Sequence, residues 1–429
     1  MNSPDNSSQD RPRRVLWANC FCMLDTSSGA SITVRRMLAQ LAKRGIEVRA
    51  LGASIFDAPH GKAVFAEKRA QYGKRRAPMI EFDDEAVRHT VVLTRMSKRN
   101  GMTVAEEFRW YTEYTRLLDS FRPDIVMTYG GLPLDILATQ EARRRGIPVA
   151  AYLANGNYKG TNWCRDIDLI LTDSEVTRNY YRDQEGFEPQ CIGKFIMPED
   201  VVAEHKTRER VLFVNPSLAK GAAIVAALAA YLEQSRPDIE FEIVEARGNW
   251  AMACRAARRL MPGGPAPLKN VTVTPNTMDM RPVYGRARLL LVPSLWWESG
   301  SRVAVEAALN GLPVIAVNRG GPPEMLGGEG FLFDFPEECH RAPYTALPPR
   351  STIAEMAATI ERLYDDQEFY HDCATRIRDM ARRKHDVETN TDRLLACLQP
   401  LLDLRAGDED FAENLRKAHK HGETIKRAV

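Results

Sequence analysis

Short apolar runs alternate along the chain with longer stretches whose apolar residues recur every three to four positions. The first cycle is the run Arg14–Cys22, a small-residue loop Asp25–Ala30, and a helical stretch from Ile32 carrying Val34, Met37, Leu38, Leu41 and Ala42 on one face. Gly45 stops that helix, and Ile46–Leu51 alternates apolar and polar as a second strand. Strand, helix and strand at this spacing predict a parallel βαβ unit, with the loop holding Ser27, Ser28 and Gly29 at the carboxyl edge where open α/β sheets take ligands. The alternative for the same residues is an ordinary tight turn. Asp57–Asn100 is charged and irregular, with one clear strand at His89–Arg95, and reads as an excursion from the first domain. Thr103–Phe121 follows as an amphipathic helix whose Phe108, Trp110, Tyr111 and Tyr114 are assigned to the core.

Regular alternation then resumes. Strands are expected at Asp124–Tyr129, Pro148–Leu153 and Asp168–Thr172, with a helix Leu134–Arg145 closed by Gly146 and another, capped by Asp173–Ser174, running through Tyr181. Polar loops, Gly130–Gly131 and Ala154–Gly160, sit at strand ends. Periodicity is lost over Pro189–His205. A fresh series starts at Arg210–Asn215, with a lysine-bearing loop Pro216–Gly221 and an alanine-rich helix Ala222–Gln234. Strands Glu240–Glu245 and Val271–Thr274 and helices Ala251–Leu260 and Pro282–Arg286 come next. Three amphipathic helices, Ser351–Asp365, Glu368–His385 and Asp386–Leu404, precede a charged tail.

Between these series lies the most informative stretch. Leu289–Pro293 is apolar, Glu298–Glu306 reads ESGSRVAVE, Asn310–Gly311 turns the chain, and Pro313–Val317 is apolar again before Gly320–Gly321–Pro322–Pro323–Glu324. This is strand, small-residue loop, helix, turn, strand and second glycine loop. Helix N-termini with free N–H groups at one sheet edge suit phosphates, and carboxylates accept hydrogen bonds from sugar hydroxyls.

Composition narrows the picture. At 429 residues two domains are expected, and 44% hydrophobic with 27% charged residues is ordinary for a soluble globular protein. A net charge of +2 and the lack of aromatic–basic interleaving argue against nucleic acid. The basic runs Lys74–Arg76, Arg143–Arg145 and Arg382–Lys384 read as solvated faces, with a peripheral membrane contact left open. No run is long enough to span a bilayer and Met1–Asp10 has no signal-peptide core, so a cytoplasmic protein, with peripheral attachment at the inner membrane face left open, is expected. The eight cysteines have no C-x-x-C pair and read as buried thiols; Cys20 and Cys22 would share one face of a strand. Histidine spacing gives no metal site, and no cofactor is called for.

Taken in order, these pieces resemble the family-4 group of retaining glycosyltransferases, which have the GT-B fold: two Rossmann-like, doubly wound α/β domains facing across a cleft. The likeness covers most of the chain and is strongest at Val211–Asp334. Glu298 and Glu306 match the family's E-x7-E; Pro293–Ser294, Asn310–Val314 and Gly320–Glu324 match its flanking elements; Lys220–Gly221 resembles its phosphate-binding "KG". Ser28–Gly29 resembles the glycine loop of the first domain, and Asp168–Ser174 the late strand and helix start that precede the linker.

The resemblance implies transfer of a sugar from a nucleotide-sugar donor, UDP- or GDP-linked, to an acceptor hydroxyl with retention of configuration and without a metal. Glu298 would orient the donor sugar, Glu306 would take the ribose hydroxyls, Lys220 and the N–H groups around Gly300–Val303 would hold the diphosphate. Three departures stand out. Asn215 occupies the place of a phosphate-binding arginine, for which Arg302 is the candidate substitute. Ser301 stands where a glycine is usual, with Gly300 one position earlier. No histidine ends a middle strand of the first domain; Tyr129, Asn155 and Asn157 stand near those ends and are candidate acceptor or sugar contacts. A GT-B epimerase and a non-catalytic nucleotide-sugar-binding subunit remain as alternatives. The acceptor is open among glycan, lipid-linked sugar, metabolite and protein. The expected divisions are a disordered tail 1–11, an acceptor-side domain 12–197, a linker 198–209, a nucleotide-sugar domain 210–388, and a helical segment 389–429 whose return to the first domain is left open.

Overall fold

The structure is a computed structural model, and it describes residues 11–72, 77–258 and 268–403. Met1–Asp10 of the expected tail, the Lys74–Arg76 run, the end of the helix expected at Ala251–Leu260 and the charged stretch after Asp403 lie outside the described residues. The chain forms two compact units. The first holds the chain up to Thr172, Arg178–Ile192 and the part from Asn390; the second holds Asp173–Thr177 and Gly193–Thr389.

In the first unit the elements run β1 (Arg14–Ala18), α1 (Gly29–Lys43), β2 (Glu47–Ala53), α2 (Ala63–Ala70), β3 (Met79–Asp84), β4 (Val87–Val92), α3 (Val104–Ser120), β5 (Ile125–Thr128), α4 (Pro133–Arg144), β6 (Val149–Leu153), β7 (Leu169–Thr172), α5 (Glu175–Glu185, whose first three residues belong to the second unit) and β8 (Gln190–Cys191). They make one sheet in the order β3-β4-β2-β1-β5-β6-β7-β8. Its central strands β5, β6 and β7 are buried along their whole length, which is why they read as apolar runs without alternation: helices cover both faces. Gly45, at φ +85°, ends α1 by donating to the Ala42 carbonyl at 3.0 Å. Thr103 and Glu106 form a capping box that starts α3.

The excursion at 57–100 is more ordered than its sequence suggests. It holds two strands rather than one: β3 pairs antiparallel with β4, and β4 joins β2 in parallel. In β3, Ile80 and Phe82 face inward while Glu81 and Asp83 do not, so a half-buried edge strand hid among its charges. Trp110 and Tyr114 are core residues as expected, but Phe108 is 71% exposed, because it lies on the outer face of α3. Cys20 and Cys22 are buried thiols, yet they do not share a strand face: β1 stops at Ala18, and the two join different apolar clusters.

The second unit runs α6 (Pro198–Val201), β9 (Arg210–Val214), α7 (Ala222–Ser235), β10 (Phe241–Val244), α8 (Trp250–Arg258), β11 (Val271–Thr274), α9 (Arg281–Arg286), β12 (Ala287–Val292), α10 (Arg302–Leu309), β13 (Val314–Val317), α11 (Gly321–Leu326), β14 (Phe331–Phe333), α12 (Arg350–Asp365), α13 (Gln367–Lys384) and the first residues of α14 (Val387–Leu402). Its parallel sheet has the order β11-β10-β9-β12-β13-β14. Residues 222–229 of α7 are all buried, matching its alanine-rich, weakly amphipathic sequence. The stretch expected as a linker, 198–209, is packed on this unit: the Asn310 amide donates to the Val201 carbonyl at 2.9 Å and accepts from the Ala203 N–H at 2.8 Å. At the other end, α14 from Asn390 onward belongs to the first unit, where Arg44 pairs with Asp392 at 2.6 Å. No helix among the described residues is long and apolar enough to cross a membrane.

Candidate active site

The carboxyl edge of the second sheet gathers the residues singled out at Glu298–Glu306. After β9 the chain turns at Asn215, which has φ +65° and accepts the Gly248 N–H on its side-chain oxygen at 2.8 Å. Asparagine tolerates this left-handed geometry, so the residue at the arginine's position is a turn former. The following loop lies against the end of β12: the Leu295 and Trp296 N–H groups both donate to the Ala219 carbonyl at 2.9 Å. Gly221, at φ +86°, lets α7 start there, since a Cβ would stand 2.1 Å from the Pro293 oxygen.

That docking delivers Lys220 to Glu298. Their Nζ–Oε1 distance is 2.8 Å, and the Ser294 hydroxyl donates to the same carboxylate oxygen. Glu298 is 8% exposed. Burial pushes its pKa up, but the Lys220 charge, the Lys220 and Ser294 hydrogen bonds and the more distant Lys194 charge outweigh burial and hold it below its usual value.

Glu306, on the buried face of α10, uses both oxygens. Arg302 Nε lies 2.6 Å from Oε1, and the Tyr284 hydroxyl donates to Oε2 at 2.6 Å. Burial, then the Glu306 charge, raises the Tyr284 pKa well above the phenol range, so it stays a donor. Arg302 therefore rests on Glu306, with a longer bond to the Phe195 carbonyl at 3.4 Å.

The loop between these acids is held by its carbonyls. The Gly321 N–H donates to the Glu298 oxygen at 2.7 Å, and Ser174 and Thr177 hydroxyls approach the Ser299 oxygen at 2.6 and 3.3 Å. Lys194 Nζ donates to the Gly300 oxygen at 3.0 Å while ion-paired with Asp173. Gly320 and Gly321 press on this loop so closely that Cβ atoms would meet the Glu298 and Ser299 oxygens at 2.6 and 2.4 Å. Glu324, on α11, accepts the N–H groups of Glu175 and Val176 at 2.9 and 2.8 Å. Ser301 is the N-cap of α10, yet its side chain makes no capping bond, and its hydroxyl is buried with no hydrogen-bond partner among the described residues. A buried orphan hydroxyl at a helix N-terminus is a ready anion donor.

The same sequence matches two family models. One, described as glycosyl transferases group 1, matches residues 208–366; the other, a glycosyl transferase 4-like domain, matches residues 28–192. The chain belongs to the glycosyltransferases of this group. Solved structures with the same fold include sucrose-phosphate synthase from Thermosynechococcus elongatus, at 14% identity and TM-score 0.64 over 91% of this chain and 99% of that one. Anabaena HepE in complex with UDP-glucose follows at 17% identity and TM-score 0.63, covering 90% of this chain and 99% of that one. A glycosyltransferase from Rickettsia africae has 13% identity and TM-score 0.63 over 92% of this chain and 100% of that one. A comparison with curated proteins gives no match.

In this glycosyltransferase the structure brings Glu298, Lys220, Gly300, Ser301, Arg302, Val303 and Glu306 to one sheet edge, with Asn215 at the turn behind Lys220. Ser28, Gly29, Tyr129, Asn155 and Asn157 lie in the other unit, at the carboxyl ends of β1, β5 and β6. There Ser28 caps α1, with its hydroxyl 3.5 Å from the Ser31 N–H, and Gly29 has open space where a Cβ would be. Tyr129 packs on Trp17 and Phe21, and burial raises its pKa. Asn155 accepts the Asn157 N–H at 3.0 Å in a turn, leaving Asn157 exposed. Sequence reasoning missed Tyr284, Asp173 and Lys194 as site residues. A lysine in an aperiodic stretch carries no spacing signal; Tyr284 could have been sought on the helix before β12. The described residues contain no cluster of His, Cys, Asp or Glu able to hold a metal.

Proposed function

We propose that the protein transfers a sugar from a nucleoside-diphosphate sugar to an acceptor hydroxyl with retention of configuration. The observation that carries this reading is the Lys220–Glu298 pair beside the unpartnered Ser301 hydroxyl at the start of α10. Breaking the sugar C1–O bond puts charge on the leaving diphosphate, and donors fixed in advance at that place lower the barrier. Lys220, the first N–H groups of α10 and the Ser301 hydroxyl are such donors. Glu298 orients the sugar hydroxyls; Glu306 takes the ribose hydroxyls, and Arg302 exchanges Glu306 for the diphosphate. In the retaining step the acceptor oxygen bonds to C1 on the face the diphosphate leaves, and the acceptor proton passes to the departing phosphate oxygen. No protein base is needed.

UDP-linked donors come first because the HepE structure holds UDP-glucose. The acceptor is read by the first unit, and peripheral contact with an anionic membrane is tested with the same protein by vesicle co-sedimentation. The deciding experiment is a thermal-shift panel of UDP- and GDP-sugars followed by turnover and NMR of the product anomer. A donor at a hundred times its Kd should add about 3 kcal/mol of stability. No shift with any nucleotide-sugar, or an inverted product, overturns the reading.

A further inference from the structure

We propose that Lys194 is a positioning residue of the donor site, fixing the Gly300 carbonyl so that the loop entering α10 presents its N–H groups in one geometry. This rests on the donor-binding reading above. Lys194 is 4% exposed and its partner Asp173 3% exposed. Such a pair adds little net stability, since desolvation offsets attraction. It holds the ammonium against the loop, where it also donates to the Gly300 oxygen at 3.0 Å.

The contact is close. A Cβ on Gly300 would meet the Lys194 Cε and Nζ at 2.8 Å and the Asp173 carboxylate at 3.5 Å. With the Gly321 N–H on Glu298 and the Ser174 and Thr177 hydroxyls near Ser299, three successive carbonyls are each held by a different segment. A peptide whose carbonyl is fixed has its next N–H fixed as well, because the unit is planar. The Gly300 carbonyl thus sets the Ser301 N–H, beside the orphan Ser301 hydroxyl. The holding residues occupy special places in the chain: Asp173–Thr177 and Gly193–Lys194 are the first residues of the second unit each time the chain enters it from the first.

Removing Lys194 alone leaves a buried carboxylate, so the test uses the neutral double substitution Lys194→Met with Asp173→Asn, and separately Gly300→Ala, which crowds the ammonium without deleting a charge. UDP, GDP and ADP binding is measured by calorimetry, with donor and acceptor KM, kcat and Tm. The expected result is a folded protein whose nucleotide Kd and donor KM rise about tenfold, while acceptor KM stays within twofold. A purely structural role would instead lower Tm and the active fraction and leave KM unchanged. Folded variants with Kd and donor KM within twofold of the parent overturn the proposal. A parent protein that binds none of the three nucleotides overturns the donor reading itself, and this inference with it.

Discussion

At the carboxyl edge of the second sheet the side chains are ions already in pairs: Lys220 with Glu298, Arg302 with Glu306, Lys194 with Asp173. At the matching edge of the first sheet they hold backbone. Asp25 accepts the Asp57 N–H at 2.7 Å and the Ser27 N–H at 2.8 Å, and Asp135 accepts the Leu132 N–H at 3.0 Å. The pKa values diverge accordingly. Burial pushes Asp25 up and Asp135 to about 6, whereas the Lys220 charge and hydrogen bonds overcome burial at Glu298. One edge carries charges set in pairs; the other has shape maintained by acids whose pKa burial raises.

The sharpest way to break this comparison is Lys220→Met. Donor kcat/KM should fall about a hundredfold or more, the scale of losing one fixed charge-stabilising donor; a loss below tenfold would place the working cation elsewhere. Next come the glycine loops of the two edges. Gly221→Ala forces a side chain into a left-handed backbone and against Pro293, costing about 2–3 kcal/mol in urea unfolding, while Gly29→Ala, with open space around it, should cost under about 0.5 kcal/mol. Equal costs would show that the edges are built alike.

Neutralising one buried carboxylate in each unit should give opposite signs. Asp135 has a folded pKa raised from its usual 3.8 to about 6, so the cost of its charge is full above pH 6, shrinks as pH falls from about 6 to 3.8, and is gone below the unfolded value. Asp135→Asn should therefore stabilise by about 1–2 kcal/mol at pH 8 and by much less at pH 4. Glu298 has a depressed pKa, so its contribution is present above the usual 4.5 and lost as pH falls through the folded value. Glu298→Gln should destabilise by about 1–2 kcal/mol at pH 8. Urea curves of both variants at the two pH values check the signs. The smallest effect is expected at exposed Asn157: Asn157→Ala should leave nucleotide Kd within twofold and show itself only in acceptor KM.

The same contrast explains what the sequence disclosed. The second edge was legible because its acids, lysine and glycines recur at fixed spacings on a strand-loop-helix frame, and that frame places them together. Lys194 was invisible because its partners, Asp173 and Gly300, are distant in sequence. The central strands were legible because burial on both faces leaves only apolar residues. Strand β3 was not, because an edge strand shows alternation over six residues, half of them charged. Asn215 looked like a lost charge; its φ +65° identifies it as a turn residue instead.

The most direct test compares the parent with Glu298→Ala and Glu306→Ala, measuring nucleotide-diphosphate Kd by calorimetry and donor turnover with the same preparations. Glu306→Ala should weaken binding about tenfold or more, while Glu298→Ala should leave Kd within about threefold and lower kcat about a hundredfold. Equal and negligible effects of both substitutions on binding and rate would contradict that division of roles.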